Sequence, residues 1–434
     1  MMPSFHLSQR ARQTAEPPIS YFMEQAVENP NLISLAAGLV DGETFPADEM
    51  RAAVDEILSD PRSAQAALQY GTTQGYLPLR EKILANALKL DGIAPGDTML
   101  TPGDVVVTTG SQQLLYLLGE LLFDPGDIVI TEAPSYFVYH GILTSLGVRT
   151  LTVPMDQDGM ITDALEELML RLERTGELAR VRLIYTVDYF QNPTGLSLSR
   201  KRRPLLLELA RRFSKPQRIL ILEDAAYREL RYEGDDVPSI KSLDADNRHV
   251  ILTMTFSKPL SPGLKTGYGI MPRDLVGPLL RFKGNHDFGS SNFNQHILDR
   301  LLGGGVYERH VRRLRDAYRH KRDVFVAALR EEFPPASGMR FPVPDGGMYV
   351  WLTCPKGLTT GLDGPFVQAC LKEGVLFVPG EFCYVEGTPN NEARLCFGVA
   401  TPEQLREAAR RLGRAARTAG LPRISMKRGA ACRG

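Results

Sequence analysis

The chain has 434 residues, 43 % of them hydrophobic and 24 % charged, which is the make-up of a globular protein with room for two or three structural units. Lysine plus arginine and aspartate plus glutamate both number 51, so no global charge draws the chain to nucleic acid or to an anionic membrane. The five cysteines, Cys354, Cys370, Cys383, Cys396 and Cys432, are odd in number and show no CxxC spacing, which argues against a disulfide framework or a metal site and for a reducing compartment.

The first residues, MMPSFHLSQRARQTAE, lack the apolar core of a signal peptide, and no apolar run approaches the ~20 residues that cross a bilayer. A cytoplasmic protein is therefore expected. An amphipathic stretch follows (Ile19, Phe22, Met23, Ala26, Val27) and reads as an arm and a short helix. Residues 33–37 form a short strand candidate closed by Gly38, and residues 47–58 a helix that stops before Pro61. Tyr70-Gly71 and Gly75 make a Gly-punctuated loop into the next helix; a tyrosine there either packs locally or reaches a ligand.

Residues 104–109 read as a buried strand that runs into Gly110-Ser111-Gln112-Gln113 and an apolar-faced helix. A glycine and a serine at a strand-to-helix junction offer free N–H groups and a hydroxyl, either as an anion site or as a plain N-cap. The strand at 127–131 delivers Glu132-Ala133-Pro134-Ser135-Tyr136, and the strand at 181–186 delivers Gln191-Asn192-Pro193-Thr194-Gly195. Residues 219–222 are an all-apolar strand ending in Glu223-Asp224, with Tyr227 three residues on. Two carboxylates in that place are not expected to serve stability. Asp188-Tyr189 has no reading from its pattern. The basic stretch 423–433 reads as a disordered tail.

The strand at 250–256 is followed by Ser257, Lys258, a loop with Pro259, Pro262 and Gly263, and Lys265. An ammonium at the mouth of a buried strand is costly to desolvate. That cost favours the neutral amine, a nucleophile able to attack an aldehyde. Thr255, Ser257 and the Lys265 cation suit a phosphate. An aldehyde and a phosphate on one molecule point to pyridoxal 5'-phosphate. Strands and helices alternate over 100–285, which implies a mostly parallel sheet with helices on both faces. The ends of parallel strands that carry Ser111, Asn192, Asp224 and Lys258 then share one edge, where such sheets bind ligands. The expected division is a large cofactor domain at 60–290, with 1–59 and 291–434 forming an arm and a smaller α+β domain. Asp224 would pair with the pyridine nitrogen, and Tyr136 would stack on the ring.

Taken together, TFSKPLSPGLKTGY, QNPTG, EDAAY, GSQQ, YGTTQG, AAGLVDGETFP and GGMYVWL resemble the fold-type I pyridoxal-phosphate aminotransferases of classes I and II, over residues 14–415. The branch resembled is that of the 2-aminoadipate and kynurenine aminotransferases and the aminotransferase-like half of GntR-type regulators. The resemblance implies an aspartate-aminotransferase-like α/β fold. It implies Lys258 as the cofactor-bearing lysine and general acid/base, and Asp224 at the ring nitrogen. Asn192 and Tyr227 would contact the ring oxygen, and Tyr136 would stack on the ring. Ser111, Gln112, Thr255, Ser257 and Lys265 would lie on the phosphate side. Tyr70 would reach the phosphate of a neighbouring subunit, hence a homodimer. Arg394, with Gly38 and Asn192, would take the substrate, the guanidinium holding its α-carboxylate through two bonds.

Three departures stand out. The family usually has arginine where this chain has Lys265, and proline where it has Ala226. The branch often carries arginine at the position of Ser20, so a substrate with a second carboxylate is disfavoured. The expected activity is transfer of an amino group from an L-amino acid to a 2-oxo acid. The alternatives are a β-lyase or decarboxylase on the same scaffold, and a ligand-sensing regulator. The regulator would need a winged helix ahead of this half, and the roughly 14 preceding residues form no basic helix pair.

Overall fold

The computed structural model describes residues 5–14, 16, 18–29, 31–385 and 389–421. The basic tail and the side chains of Ile19, Met23, Ala26 and Val27 lie outside the described residues. Two compact units emerge. The first holds Val40–Arg319 and Pro344–Gly347 with the described residues before 18; the second holds Pro18–Leu39, His320–Val343 and the chain from Met348 on. Residues 40–59 and 291–319, assigned by sequence to the arm and small domain, thus fall in the first unit.

In the second unit, β1 (Ile33–Ser34) is shorter than the expected 33–37 strand. The first unit is built on an eight-stranded sheet. Along the chain its strands are β2 (Val105–Thr108), β3 (Ile128–Ala133), β4 (Arg149–Asp156), β5 (Gly159–Met160), β6 (Val181–Thr186), β7 (Leu220–Asp224), β8 (Val250–Thr255) and β9 (Gly267–Ile270). Their spatial order is β2-β9-β8-β7-β6-β3-β4-β5. From β8 to β4 each neighbour is parallel; β9 runs against both β2 and β8, and β5 against β4. The mixed sheet is mostly parallel, as expected.

The reason lies in the side chains. The strands β2, β7 and β8 are buried at every residue, so they need cover on both faces. Helices supply it: Thr162–Arg174 and Arg202–Phe213 turn Leu165, Leu168, Leu172, Leu206, Ala210 and Phe213 onto Ile184, Ile221 and Val250. β4 went unpredicted because it is half-exposed and carries Pro154, features of a strand near the sheet edge.

The second unit has a three-stranded antiparallel sheet in the order β10-β13-β12, from β10 (Tyr349–Thr353), β12 (Val378–Pro379) and β13 (Glu392–Cys396). A separate two-stranded sheet pairs β1 in parallel with β11 (Val375–Leu376). The helix Pro402–Thr418 starts at a Thr401–Gln404 capping box and buries Leu405, Ala408, Ala409 and Leu412. No described helix is long and apolar enough to cross a membrane.

Candidate active site

Parallel strands place their carboxyl ends on one edge of the sheet. β8 ends in Thr255, whose hydroxyl donates to Ser257 Oγ at 2.9 Å and accepts from the Ser257 N–H at 3.1 Å. Lys258 follows, half-buried rather than sealed in, with Nζ 5.9 Å from the ring centroid of buried Tyr227. The loop then turns at Lys265, which adopts left-handed backbone (φ 46°) at the end of the Pro262–Leu264 turn.

Gly267 opens β9, opposite both Thr255 and Thr108. A Cβ there would lie 2.6 Å from Ser111 N, 2.7 Å from Gly110 C and 2.9 Å from Met254 O. Only glycine lets this strand pass so close to the start of the helix Gly110–Leu122. That helix is opened by Thr109, whose side chain caps none of its first N–H groups; the Thr109 N–H itself donates to Gln113 Oε1 at 2.7 Å. A helix start left open in this way is a cradle for an anion. Gln112 Oε1 accepts from the Tyr136 hydroxyl at 3.3 Å, which ties the tyrosine after β3 to the same helix start.

β7 ends in Asp224, buried at 5 % exposure. Its carboxylate accepts from the Tyr185 hydroxyl at 3.0 Å and from the Ala226 N–H at 3.3 Å. Both donors are neutral, and burial pushes its pKa up to about 6 against these two hydrogen bonds. Asn192 is buried in the loop after β6 and follows Gln191, which is held at both ends. Gln191 Nε2 donates to Glu132 Oε2 at 2.6 Å, and Gln191 Oε1 accepts from Thr194 Oγ1 at 2.6 Å.

Glu132, on β3, has no role that its sequence pattern assigns. Its buried carboxylate also accepts from Thr186 Oγ1 at 2.5 Å and Val187 N at 3.1 Å, and so clamps the segment that carries Asn192. Burial raises it to about 7 despite these three donors. A carboxylate inside an apolar strand, as in β3, was the available signal.

Glu223 corrects an expectation. Side chains alternate along a strand, so Glu223 and Asp224 point to opposite faces. Glu223 accepts from the Ile240 and Lys241 N–H groups at 2.7 and 2.8 Å and lies 3.3 Å from Arg203, which also pairs with Asp188. The Arg203 and Arg228 guanidiniums both lie over the Tyr189 ring, at 4.2 and 4.9 Å from its centroid. Burial and then the Asp188 charge push the Glu223 carboxyl far up, and burial raises Asp188 as well, against the Arg203 charge. This network accounts for Asp188-Tyr189 as structure behind the site. Arg203→Ala is expected to cost about 3–5 kcal/mol by stranding buried acids, measurable by urea unfolding. A loss under 1 kcal/mol would contradict the network.

Tyr70 stands apart from these side chains. It is 82 % exposed, edge-on to Phe288 at 5.8 Å, and its hydroxyl makes no hydrogen bond among the described residues. Arg394 and Gly38 belong to the second unit. Arg394, on β13, is buried, donates to Ala36 O and lies 4.7 Å from the Tyr349 ring. A Cβ at Gly38 would meet Tyr349 Oη at 2.9 Å.

The family model "Aminotransferase class I and II" matches residues 30–412. The chain belongs to this family. It is an aminotransferase, a transferase of amino groups that works with pyridoxal 5'-phosphate. This aminotransferase is 36 % identical over 386 residues to aromatic-amino-acid aminotransferase 1 of Thermococcus litoralis, covering 89 % of this chain and 88 % of that protein. It is also 36 % identical to the 2-aminoadipate transaminase of Thermus thermophilus, covering 89 % and 91 %. The kynurenine aminotransferase of Pyrococcus horikoshii, solved in complex with PMP, KYN and KYA, superposes with a TM-score of 0.87 at 34 % identity, covering 95 % and 96 %. The fold expected from the motifs is the fold found.

The site of this aminotransferase fits its cofactor on two observations. The Gly267 contact leaves an open helix start beside Thr255, suited to a phosphate. Asp224 is a buried carboxylate bonded only to neutral donors among the described residues, which suits a protonated ring nitrogen.

Proposed function

We propose that Lys258 is the residue that carries the cofactor and moves the proton at the substrate's α-carbon. When bound, pyridoxal 5'-phosphate supplies the aldehyde that takes up the amino group and a ring that draws electrons from that carbon. Lys258 would hold the cofactor at rest through its amine and, once free, would serve as base and acid at the substrate's α-carbon. Asp224 holds the proton at the ring nitrogen. Asn192 and Tyr227 donate to the ring oxygen, and Tyr136 stacks on the ring. Ser111, Gln112, Thr255, Ser257 and Lys265 hold the phosphate, Lys265 as a point charge rather than a fork. Arg394 takes the substrate's α-carboxylate, and Gly38 and Asn192 also contact the substrate. The observation that carries the reading is the edge where β7 presents buried Asp224 and the neighbouring β8 runs on into Lys258 beside Tyr227.

The enzyme is proposed as a cytoplasmic homodimer of amino-acid metabolism, with the exposed Tyr70 entering the neighbouring subunit's phosphate site. The donor proposed is an L-amino acid with an aromatic or apolar side chain. That choice follows the Thermococcus relative's name and the serine at position 20. The test is a panel of L-amino acids added singly to the cofactor-loaded enzyme, with no oxo acid present, while the visible absorbance is followed. Aromatic donors should bleach the band fastest, and a 2-oxo acid should restore it. Bleaching by none of the panel, or release of ammonia and pyruvate without an acceptor, would count against transamination.

A further inference from the structure

β6 lies between β7 and β3 and carries Tyr185 in the middle of the sheet. The residue has no solvent exposure, and its hydroxyl donates to Asp224 Oδ2 at 3.0 Å. The other Asp224 oxygen, Oδ1, accepts from Ala226 N. One donor on each oxygen gives the carboxylate a single orientation. The ring of Tyr139, from the helix Phe137–Ser145, packs behind Tyr185 with centroids 4.3 Å apart at 41°. The Tyr139 hydroxyl is buried and has no hydrogen-bond partner among the described residues. Two buried phenols are therefore in contact, and only one of them donates to the carboxylate. Burial, and then the Asp224 charge, hold the Tyr185 phenol in its protonated form, so it is always a donor.

A donor bonded to an anion favours the ionised state, and such charge-assisted bonds are about twice as strong as neutral ones. We infer that Tyr185 is a positioning residue of the transamination reaction, whose hydroxyl aims the Asp224 carboxylate and keeps it ionised for the ring nitrogen of the bound cofactor. The inference rests on the proposed pairing of Asp224 with that nitrogen. Tyr185 acts through Asp224 and needs no contact with substrate.

The test compares two ligands that differ only at that nitrogen: pyridoxal 5'-phosphate and its 1-deaza analogue, which has a C–H in its place. Full-length protein freed of cofactor is dialysed to equilibrium against each, for wild type, Tyr185→Phe, Tyr139→Phe and Asp224→Asn. Y185F is expected to weaken pyridoxal phosphate binding about tenfold, equivalent to about 1.4 kcal/mol, and to leave the analogue within about twofold of wild type. Y139F removes the same atom from the ring in contact with it and should change neither. Equal losses with both ligands in Y185F would mean a merely structural tyrosine and would overturn the inference, as would no loss with either. D224N should lose affinity for the natural cofactor alone. If it does while Y185F shows no selectivity, only the inference fails; if D224N binds both ligands like wild type, the Asp224 reading fails and takes the inference with it. Should Y185F not fold, 3-fluorotyrosine at position 185 keeps the ring and makes the hydroxyl a stronger donor. It should tighten binding of pyridoxal phosphate relative to the analogue, and an unchanged ratio would equally overturn the inference.

Discussion

Lys258→Ala is expected to lower transamination by at least about 10²–10⁴-fold, the range lost when a positioned acid/base is removed. The effect should be larger than for any other single change at the site, because one amine is proposed to serve both as anchor and as proton carrier. Stability should hardly move. The lysine is half-buried just past the end of β8, and alanine there leaves no deep cavity. Lys258→Arg separates the two jobs from charge alone: arginine keeps a cation but cannot become a neutral nucleophile near pH 7. Both variants should fail in single-turnover absorbance measurements with an amino-acid donor, while their thermal midpoints stay within a few degrees of wild type. Borohydride treatment of the loaded wild-type enzyme should fix the cofactor on the peptide containing residue 258. K258A turnover within tenfold of wild type, or a label on another lysine, would remove the central assignment.

The fold was legible where burial is complete. Strands such as Val105–Thr108 and Val250–Thr255 are closed on both faces, so their apolar runs are nearly unbroken. β4 was not legible, since a half-exposed strand with a proline mimics a loop. The candidate site was legible at residues that end strands or break a helix start, because polar groups there contradict their surroundings. Glu223 shows the limit of that signal. It contradicts its surroundings as strongly as Asp224, and only the alternation of the strand tells them apart. Arg203 and Asp188, which explain Glu223, lie 20 and 35 residues before it in sequence, so no local pattern pairs them. Tyr185 was hidden for the opposite reason: within an apolar run its ring reads as core, and the hydroxyl that reaches Asp224 leaves no trace in the pattern.

Asp224→Asn is expected to weaken cofactor binding and turnover by roughly 200- to 5,000-fold, because removing one member of a buried charge pair typically costs about 3–5 kcal/mol. The same change should have the opposite effect on the protein without cofactor. There Asp224 has only neutral partners, and burial holds its pKa near 6 rather than 3.8. A carboxyl group whose pKa is raised by folding stabilises fully below its unfolded value, and that contribution is lost as pH rises through the folded value. The cofactor-free wild type should therefore lose on the order of 3 kcal/mol between about pH 4 and pH 6 on account of this group. Glu132, raised to about 7, adds a loss of the same sign that extends the window to pH 7. D224N stays neutral throughout, so its apoprotein should melt above wild type at pH 7 and near it at pH 4. Loading the cofactor should reverse that order, because a protonated ring nitrogen gives wild-type Asp224 the counter-charge it lacks and gives asparagine nothing. Thermal midpoints of both proteins at pH 4.5 and 7, with and without pyridoxal 5'-phosphate, decide the matter. If the midpoints keep one order in all four conditions, Asp224 is not a buried anion waiting for a cation.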